Sequence, residues 1–174
     1  MVDTRLERWI VHHRTPWLDD LFVPLSHIGN WGLIWLILAV LATVLWRRPS
    51  IFLFVLSGNL LAGLASYGLR EAIGRERPPH RFPDPRPLVD VPTSGSFPSG
   101  HASMSFACAA LLAWLTPLPK VPLFALAALI AFSRVYNGVH YPLDVLGGAA
   151  LGLAVATALR LLAGARRRSA PAQR

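Results

Sequence analysis

Cysteine is almost missing from this chain of 174 residues, and one cysteine, Cys108, cannot form an internal disulfide framework. The chain is therefore not a disulfide-stapled scaffold. Because Cys108 lies in an apolar run, we expect it to be a buried packing residue. The first thirty residues also have no basic start followed by a continuous apolar run, so we expect no cleavable signal peptide.

Acidic residues are scarce as well, with nine Asp and Glu against seventeen Lys and Arg, for a net charge of +8. A basic excess can indicate nucleic-acid binding. Here, however, the basic residues fall in loops and near the C-terminus, not on a face interleaved with aromatic side chains. We therefore predict no nucleic-acid partner and interpret the charge as membrane-topology signals and phosphate-binding groups.

Apolar residues are abundant: 53% of the chain is hydrophobic and the mean hydropathy is positive. That is more than a soluble core of this size needs, so the sequence predicts a membrane protein of one domain. The predicted fold class is all-α, a polytopic transmembrane helix bundle with about five spans. The spans are expected near residues 31–46, 50–69, 99–116, 121–133 and 142–162, and the short fourth span should extend from Pro119 past Arg134.

The chain divides into three predicted parts. Residues 1–30 mix charges and apolar positions at near-helical spacing, which predicts short amphipathic helices at the membrane interface. Residues 31–165 form the transmembrane domain, and residues 166–174 form a basic cytoplasmic tail. Within the domain, the segment 70–98 contains seven prolines, so we expect a stiff, water-facing loop.

Basic residues predict the orientation. If the five spans alternate, Arg47, Arg48, Lys120 and the C-terminal arginines lie on one side, which the positive-inside rule makes cytoplasmic. The loop 70–98 and the N-terminus then face outward. The five arginines of that loop weaken this signal, but four acidic residues offset most of them.

Residues that can handle phosphate lie at three places where apolar segments end. An arginine can hold phosphate oxygens bidentately, a histidine can attack phosphorus or carry a proton, and a carboxylate can orient that histidine. Alternating spans bring all three places to one face of the membrane. The groups are Arg70 and Arg77; Ser99, Gly100 and His101; and Arg134, His140 and Asp144.

The positively charged side chains are expected to neutralise the phosphate, with Ser99 and Gly100 assisting at the start of a helix. We expect the hydroxyl of Ser99 and free backbone N–H groups there to face the anion. Glycine at position 100 also permits close approach. His12, His13, His27 and His80 have no comparable context, and no role is predicted for them.

These clusters match three signatures, (K/R)x6RP, PSGH and SRx5Hx3D, in order and spacing between residues 70 and 144. The chain thus resembles the type 2 phosphatidic acid phosphatase family of integral-membrane lipid phosphate phosphatases. Many members carry lysine where this chain has Arg70, which keeps the charge but changes the reach and the donor geometry.

The resemblance implies a mechanism. His140 would attack phosphorus and form a phosphohistidine while its other ring nitrogen donates to Asp144, which orients the ring. His101 would protonate the leaving oxygen and then act as a base on the hydrolytic water. No metal and no other cofactor are expected.

The expected substrate is a lipid phosphate in the bilayer of a bacterial cell (inner) membrane, with the active site on the extracytoplasmic face. The resemblance implies phosphatidic acid, phosphatidylglycerol phosphate or a polyprenyl diphosphate such as undecaprenyl diphosphate.

Two alternatives to a lipid phosphate phosphatase remain. A lipid phosphotransferase would use the same site with a hydroxyl acceptor, and a non-enzymatic lipid-phosphate carrier would place ionisable residues near the midplane, whereas here they lie at the span ends. The residues predict no oligomeric state.

Overall fold

The computed structural model describes residues 2–169, and the side chains of residues 2–165. Every regular element in that range is a helix, which confirms the all-α fold class. The elements are α1 (Val2–His12), α2 (Pro16–Ile28), a 3₁₀ turn (Asn30–Gly32), α3 (Leu33–Trp46), α4 (Pro49–Ile73), α5 (Pro78–Arg81), α6 (Gly100–Leu115), α7 (Lys120–Tyr136) and α8 (Pro142–Ser169).

Helix α6 lies at the centre of the bundle, packed against α4, α7 and α8. Its side chains share one apolar core with residues of α3 and α4, in which Trp35 and Ile51 are fully buried. Cys108 belongs to this core and is fully buried, as its apolar surroundings in the sequence predict. The indole N–H of Trp35 donates to the Ser105 hydroxyl at 3.0 Å, so the one polar group of this buried side chain is paired.

Large apolar side chains also cover much of the outside of the bundle. Leu45, Leu64 and Leu161 are each about two-thirds exposed or more. Such outer faces suit hydrocarbon better than water. Two segments, Pro49–Arg81 and Pro142–Ala165, are long and apolar enough to cross a membrane, and α2 with α3 would make a third if that pair, bent by 55°, is one span. Helix α6 is apolar but shorter, with 16 residues. The predicted number of membrane spans, five, remains a prediction.

The bend between α2 and α3 is built by backbone in the left-handed region. Trp31 has φ 55° and Gly32 has φ 72°, so α3 begins at Leu33 and not at Trp31 as the hydropathy suggested. Asn59 of α4 fixes this bend: its side-chain N–H donates to the Trp31 carbonyl at 2.9 Å. A side chain at Gly32 would meet Asn59 Oδ1 at 2.0 Å, so the turn requires glycine there.

The proline-rich loop is shorter than predicted. Helix α4 continues three residues past Arg70 because its first helix-ending residue is Gly74, which takes φ 61° and donates to the Arg70 carbonyl. Arg70 therefore lies in the last turn of a helix and not in the loop. Pro78 and Pro79 then begin the short helix α5, since proline suits a first helical turn.

The N-terminal helices pack against the bundle near the ends of α7 and α8. Helix α1 contacts both of these helices, and α2 contacts α7. The predicted boundaries at residues 30 and 165 remain predictions. Of the predicted basic tail, the side chains from residue 166 onward and all residues from 170 onward lie outside the described part of the chain.

Candidate active site

A cavity of about 580 Å³ lies at the face where α4 and α7 end and α6 and α8 begin. Consecutive helices run in alternate directions, so these four helix ends meet although their residues are far apart in sequence. Six of the eight predicted site residues line the cavity: Arg70, Arg77, Gly100, His101, Arg134 and His140. Ser99 and Asp144 are fully buried behind it.

His140 lies in the loop between α7 and α8 with both ring nitrogens directed at charged groups. Its Nε2 is 3.2 Å from Nη1 of Arg77, and its Nδ1 is 3.4 Å from Oδ2 of Asp144. The second distance is long for a hydrogen bond, and Nδ1 has no closer partner among the described residues. Burial is the main cause that lowers the pKa of His140; the charges of Arg77 and Arg134 also lower it, Asp144 opposes them, and the net value is about 4. The imidazole is therefore neutral near pH 7, as a nucleophile must be.

The guanidinium of Arg77 is largely occupied by the protein itself. Its Nε and Nη2 donate to the carbonyls of Ser94 and Gly95 at 2.9 and 3.0 Å, and Nη1 donates to the Val139 carbonyl at 2.9 Å. Arg77 thus ties the end of the proline-rich loop to the segment that carries His140. A phosphate could take over the contact that Nη1 now makes with His140 or the 3.5 Å contact of Nη2 with the Ser94 hydroxyl, whereas the other donors are held by carbonyls. Arg77 therefore contributes charge and orientation more than a free bidentate fork.

Arg70 and Arg134 keep donors free. Arg134 donates to the Ser26 hydroxyl, while its Nε has no partner within the described part of the chain although the side chain is buried. Arg70 makes only long contacts, 3.3 Å to the Ser66 hydroxyl and 3.4 Å to the Pro98 carbonyl, and its Nε is also unpaired. Both side chains also line the cavity, and cations that the protein pairs only in part are suited to an anion there.

The start of α6 is arranged differently from the prediction in one respect. The Ser99 backbone N–H donates to the Asp144 backbone carbonyl at 2.9 Å, so it is not available to an anion. The Ser99 hydroxyl has no hydrogen-bond partner in the portion of the chain that the structure describes. Gly100 permits close packing, because a side chain there would meet Nη1 of Arg70 at 2.8 Å. The remaining N–H groups of the first turn of α6 have no partners within the helix.

His101 is held by the bend between α2 and α3. Its Nε2 lies 2.9 Å from Oδ1 of Asn30, an acceptor, so this nitrogen carries a proton when the bond forms. Close packing allows the contact, since a side chain at Gly29 would meet Cδ2 of His101 at 3.2 Å and Ile130 at 2.6 Å.

Several further residues at the site are not among those that the three sequence signatures specify. His27, Asn30, Trp31 and Asp90 also line the cavity. Arg75 forms ion pairs with Asp3 and Asp144, both at 2.5 Å. The one hint was the position of Arg75 between Arg70 and Arg77, and its partners lie 72 and 69 residues away.

Residues 2–169 contain no group of three or more His, Cys, Asp or Glu side chains placed to hold a metal ion. A metal-independent reaction remains a prediction, and phosphate release in the presence of EDTA tests it.

Comparison with known proteins gives consistent results. The PAP2 superfamily matches residues 51–168. Decaprenylphosphoryl-5-phosphoribose phosphatase of Mycobacterium tuberculosis is 38% identical over 148 residues, which cover 83% of this chain and 80% of that protein.

Two solved structures share the fold. A PAP2-type phosphatidylglycerolphosphate phosphatase from Bacillus subtilis superposes with a TM-score of 0.75 at 27% identity, covering 99% of this chain and 88% of that one. LpxE from Aquifex aeolicus superposes with a TM-score of 0.73 at 28% identity, covering 92% and 96%. The family match covers all the predicted site residues, from Arg70 in α4 to Asp144 in α8. The chain therefore belongs to the PAP2 superfamily and is a membrane phosphatase.

Proposed function

We propose that this protein hydrolyses the phosphate from a lipid phosphate or lipid diphosphate in a bacterial cell membrane, through a phosphohistidine at His140 and without a metal. One observation carries the proposal: a single cavity is lined by His101, His140 and three arginines, at the ends of apolar helices. A neutral nucleophile, a proton donor and positive charge are thus available to one bound phosphate.

In the first half-reaction, the Nε2 lone pair of His140 attacks phosphorus and a P–N bond forms as the bond to the lipid oxygen breaks. His101 donates a proton to that oxygen. The Nη1 group of Arg77, now 3.2 Å from Nε2, moves its hydrogen bond to a phosphate oxygen. Arg134 and Arg70, which line the same cavity, bind the other oxygens, and the start of α6 adds the attraction of its dipole.

In the second half-reaction, water attacks phosphorus and the P–N bond breaks. His101, which lost its proton in the first step, accepts one from the water. Inorganic phosphate leaves and both histidines return to their starting states. Asp144 stabilises the positive charge that develops on His140 in the first step and fixes which nitrogen carries the proton.

The position of the cavity and the names of the relatives support a lipid phosphate as the substrate. The cavity lies where apolar helices with exposed leucines end, which suits a phosphate in the headgroup zone and a tail in hydrocarbon. The Mycobacterium tuberculosis relative is named for a phosphoribose on a decaprenylphosphoryl group, and the Bacillus subtilis structure for phosphatidylglycerol phosphate. Both are phosphates joined to a lipid through a polar alcohol, so we place lipid-linked phosphomonoesters first and polyprenyl diphosphates second.

We place the site on the extracytoplasmic face. Arg47 and Arg48, between α3 and α4, and Lys120, at the start of α7, lie at helix ends opposite to those that form the cavity. The positive-inside rule puts those ends in the cytoplasm.

The test is phosphate release by protein purified in detergent, from phosphatidic acid, phosphatidylglycerol phosphate and undecaprenyl diphosphate, with EDTA present. We expect release from at least one of the three, its loss in His140→Ala, and its retention in His80→Ala, which changes an exposed histidine outside the cavity. Undiminished release by His140→Ala would remove His140 as the nucleophile. No release from any lipid, with binding retained, would favour a carrier, and transfer to an added alcohol in place of water would favour a phosphotransferase.

A further inference from the structure

Arg75 lies between two carboxylates from opposite ends of the chain. Its Nη2 is 2.5 Å from Oδ2 of Asp3 in α1, and its Nη1 is 2.5 Å from Oδ1 of Asp144 in α8. The guanidinium also lies over the ring of Tyr141, 4.3 Å from its centroid. Asp3 and Asp144 are almost fully buried, so neither carboxylate has water as an alternative partner.

The two oxygens of Asp144 have different partners. Oδ1 accepts from Arg75, whereas Oδ2 accepts from the Tyr141 backbone N–H at 2.9 Å and faces Nδ1 of His140 at 3.4 Å. Arg75 therefore fixes the rotation of the carboxylate that decides which oxygen faces His140. Without this cation, Asp144 would be a buried charge with one oxygen unpaired.

Asp3 holds the other side of the arrangement. Its Oδ2 binds Arg75, and its Oδ1 accepts from the Leu143 backbone N–H at 2.9 Å, in the first turn of α8. One side chain of α1 thus fixes both Arg75 and the turn that carries Asp144. Helix α1 lies outside the region that matches the PAP2 superfamily, which begins at residue 51.

We propose that Arg75 and Asp3 are positioning residues for catalysis, and that α1 completes the active site by holding Asp144 against His140. The inference rests on the proposed role of His140 as nucleophile. Arg75 does not line the cavity, so it acts through Asp144 and not on the phosphate. Correct placement of the carboxylate keeps the proton on Nδ1 and directs the Nε2 lone pair at phosphorus.

The test uses Arg75→Gln, Arg75→Lys and Asp3→Asn, with phosphatidic acid or whichever lipid phosphate the wild type hydrolyses. The controls are Arg5→Gln and Asp20→Asn, which make the same charge changes at exposed positions of α1 and α2. We expect kcat to fall about 10- to 100-fold in Arg75→Gln and less in Asp3→Asn, with KM within about twofold, because the partners of a reacting group have effects of this size. Arg75→Lys should recover part of the loss, and both controls should match the wild type.

A double-mutant cycle separates positioning from phosphate binding. In an Asp144→Asn background, Arg75→Gln should cause little further loss, since both changes break the same contact. Losses that multiply, or a rise of KM in place of a fall of kcat, would overturn the proposal, as would unchanged kcat in Asp3→Asn. Thermal unfolding in detergent shows whether each variant is folded. If Arg75→Gln does not fold, Arg75→Lys still tests the proposal. Failure of the wild type to release phosphate would instead count against the proposed function.

Discussion

The Nε2 atom of His101 lies 2.9 Å from Oδ1 of Asn30, so the proposed general acid is bound to the bend that joins α2 and α3. This contact connects an N-terminal segment to a histidine of the central helix. A substitution at Asn30 can therefore remove a hydrogen bond of His101 while the histidine itself is kept.

Asn30→Ala should slow the reaction by weakening the proton donor. Loss of the acceptor leaves the His101 ring free to rotate, and we expect kcat to fall about 10- to 100-fold for a lipid phosphomonoester, whose alkoxide needs a proton to leave. The loss should be smaller for a lipid diphosphate, whose leaving phosphate is stable without one. The exposed loop substitution Thr93→Ala is the control. Equal loss for both leaving groups would contradict the assigned role.

Arg134→Lys should weaken phosphate binding although it keeps the charge. Arg134 donates to Ser26 and also lines the cavity, and one ammonium group cannot reproduce a planar guanidinium that binds Ser26 and an anion at once. We expect kcat/KM to fall about 10- to 100-fold and inhibition by inorganic phosphate to weaken in parallel. Arg5→Lys, at an exposed position, should change neither quantity. Wild-type inhibition by phosphate in Arg134→Lys would show that Arg134 does not contact the anion.

Gly152→Ala should destabilise the bundle because α6 and α8 are in backbone contact there. A side chain at Gly152 would meet the Ser103 carbonyl oxygen at 2.2 Å and the Ala107 nitrogen at 2.9 Å, and neither atom can move without the helix. We expect a loss of about 1–3 kcal/mol in thermal unfolding in detergent. Gly164→Ala in the same helix has nothing within 4 Å and should be neutral or slightly stabilising. Equal effects of the two substitutions would argue against close α6–α8 packing.

Glu7 should make stability depend on pH. Glu7 is 1% exposed, and its Oε2 has no partner in the described range of residues. The pKa of Glu7 is raised from 4.5 to about 7, mainly by burial; Arg8 and Arg14 lower it, and Asp3 adds to the rise. The folded state therefore retains a proton that the unfolded chain releases between these values. The stabilisation is complete below pH 4.5 and is lost as the pH rises through about 7.

Glu7→Gln, which is neutral at every pH, should remove this dependence. We expect the variant to match the wild type near pH 5 and to be more stable by about 1–3 kcal/mol near pH 8, measured by thermal unfolding. Glu71→Gln at an exposed position should leave the wild-type pH dependence unchanged. Parallel pH curves for the wild type and Glu7→Gln would show that Glu7 is not a buried carboxyl.

The sequence predicted which helix ends meet, because apolar runs, prolines and glycines mark helix ends and alternating helices bring every second end to one face. Six of the eight predicted site residues line one cavity for this reason. The contacts of Arg75 could not be predicted, since no local pattern connects it to partners 69 and 72 residues away. The bend at Trp31 and Gly32 was missed because it depends on Asn59, a polar residue in the middle of an apolar helix.

Detailed geometry changed two expectations about the site. Arg77 looked like a free phosphate clamp, but its donors are used by backbone carbonyls of two loops. The Ser99 N–H looked available at a helix start, but it binds the Asp144 carbonyl. Both differences arise from backbone oxygens, which every residue carries and which a pattern of side chains cannot indicate.

The most direct test of the account is to trap the covalent intermediate. Protein mixed with a ³²P-labelled lipid phosphate, quenched in alkali within one turnover and digested, should carry acid-labile label on His140. The label should be absent in His140→Gln, present in His80→Ala and unaffected by EDTA. Full turnover with no label, or label that persists in His140→Gln, would contradict a phosphohistidine at His140.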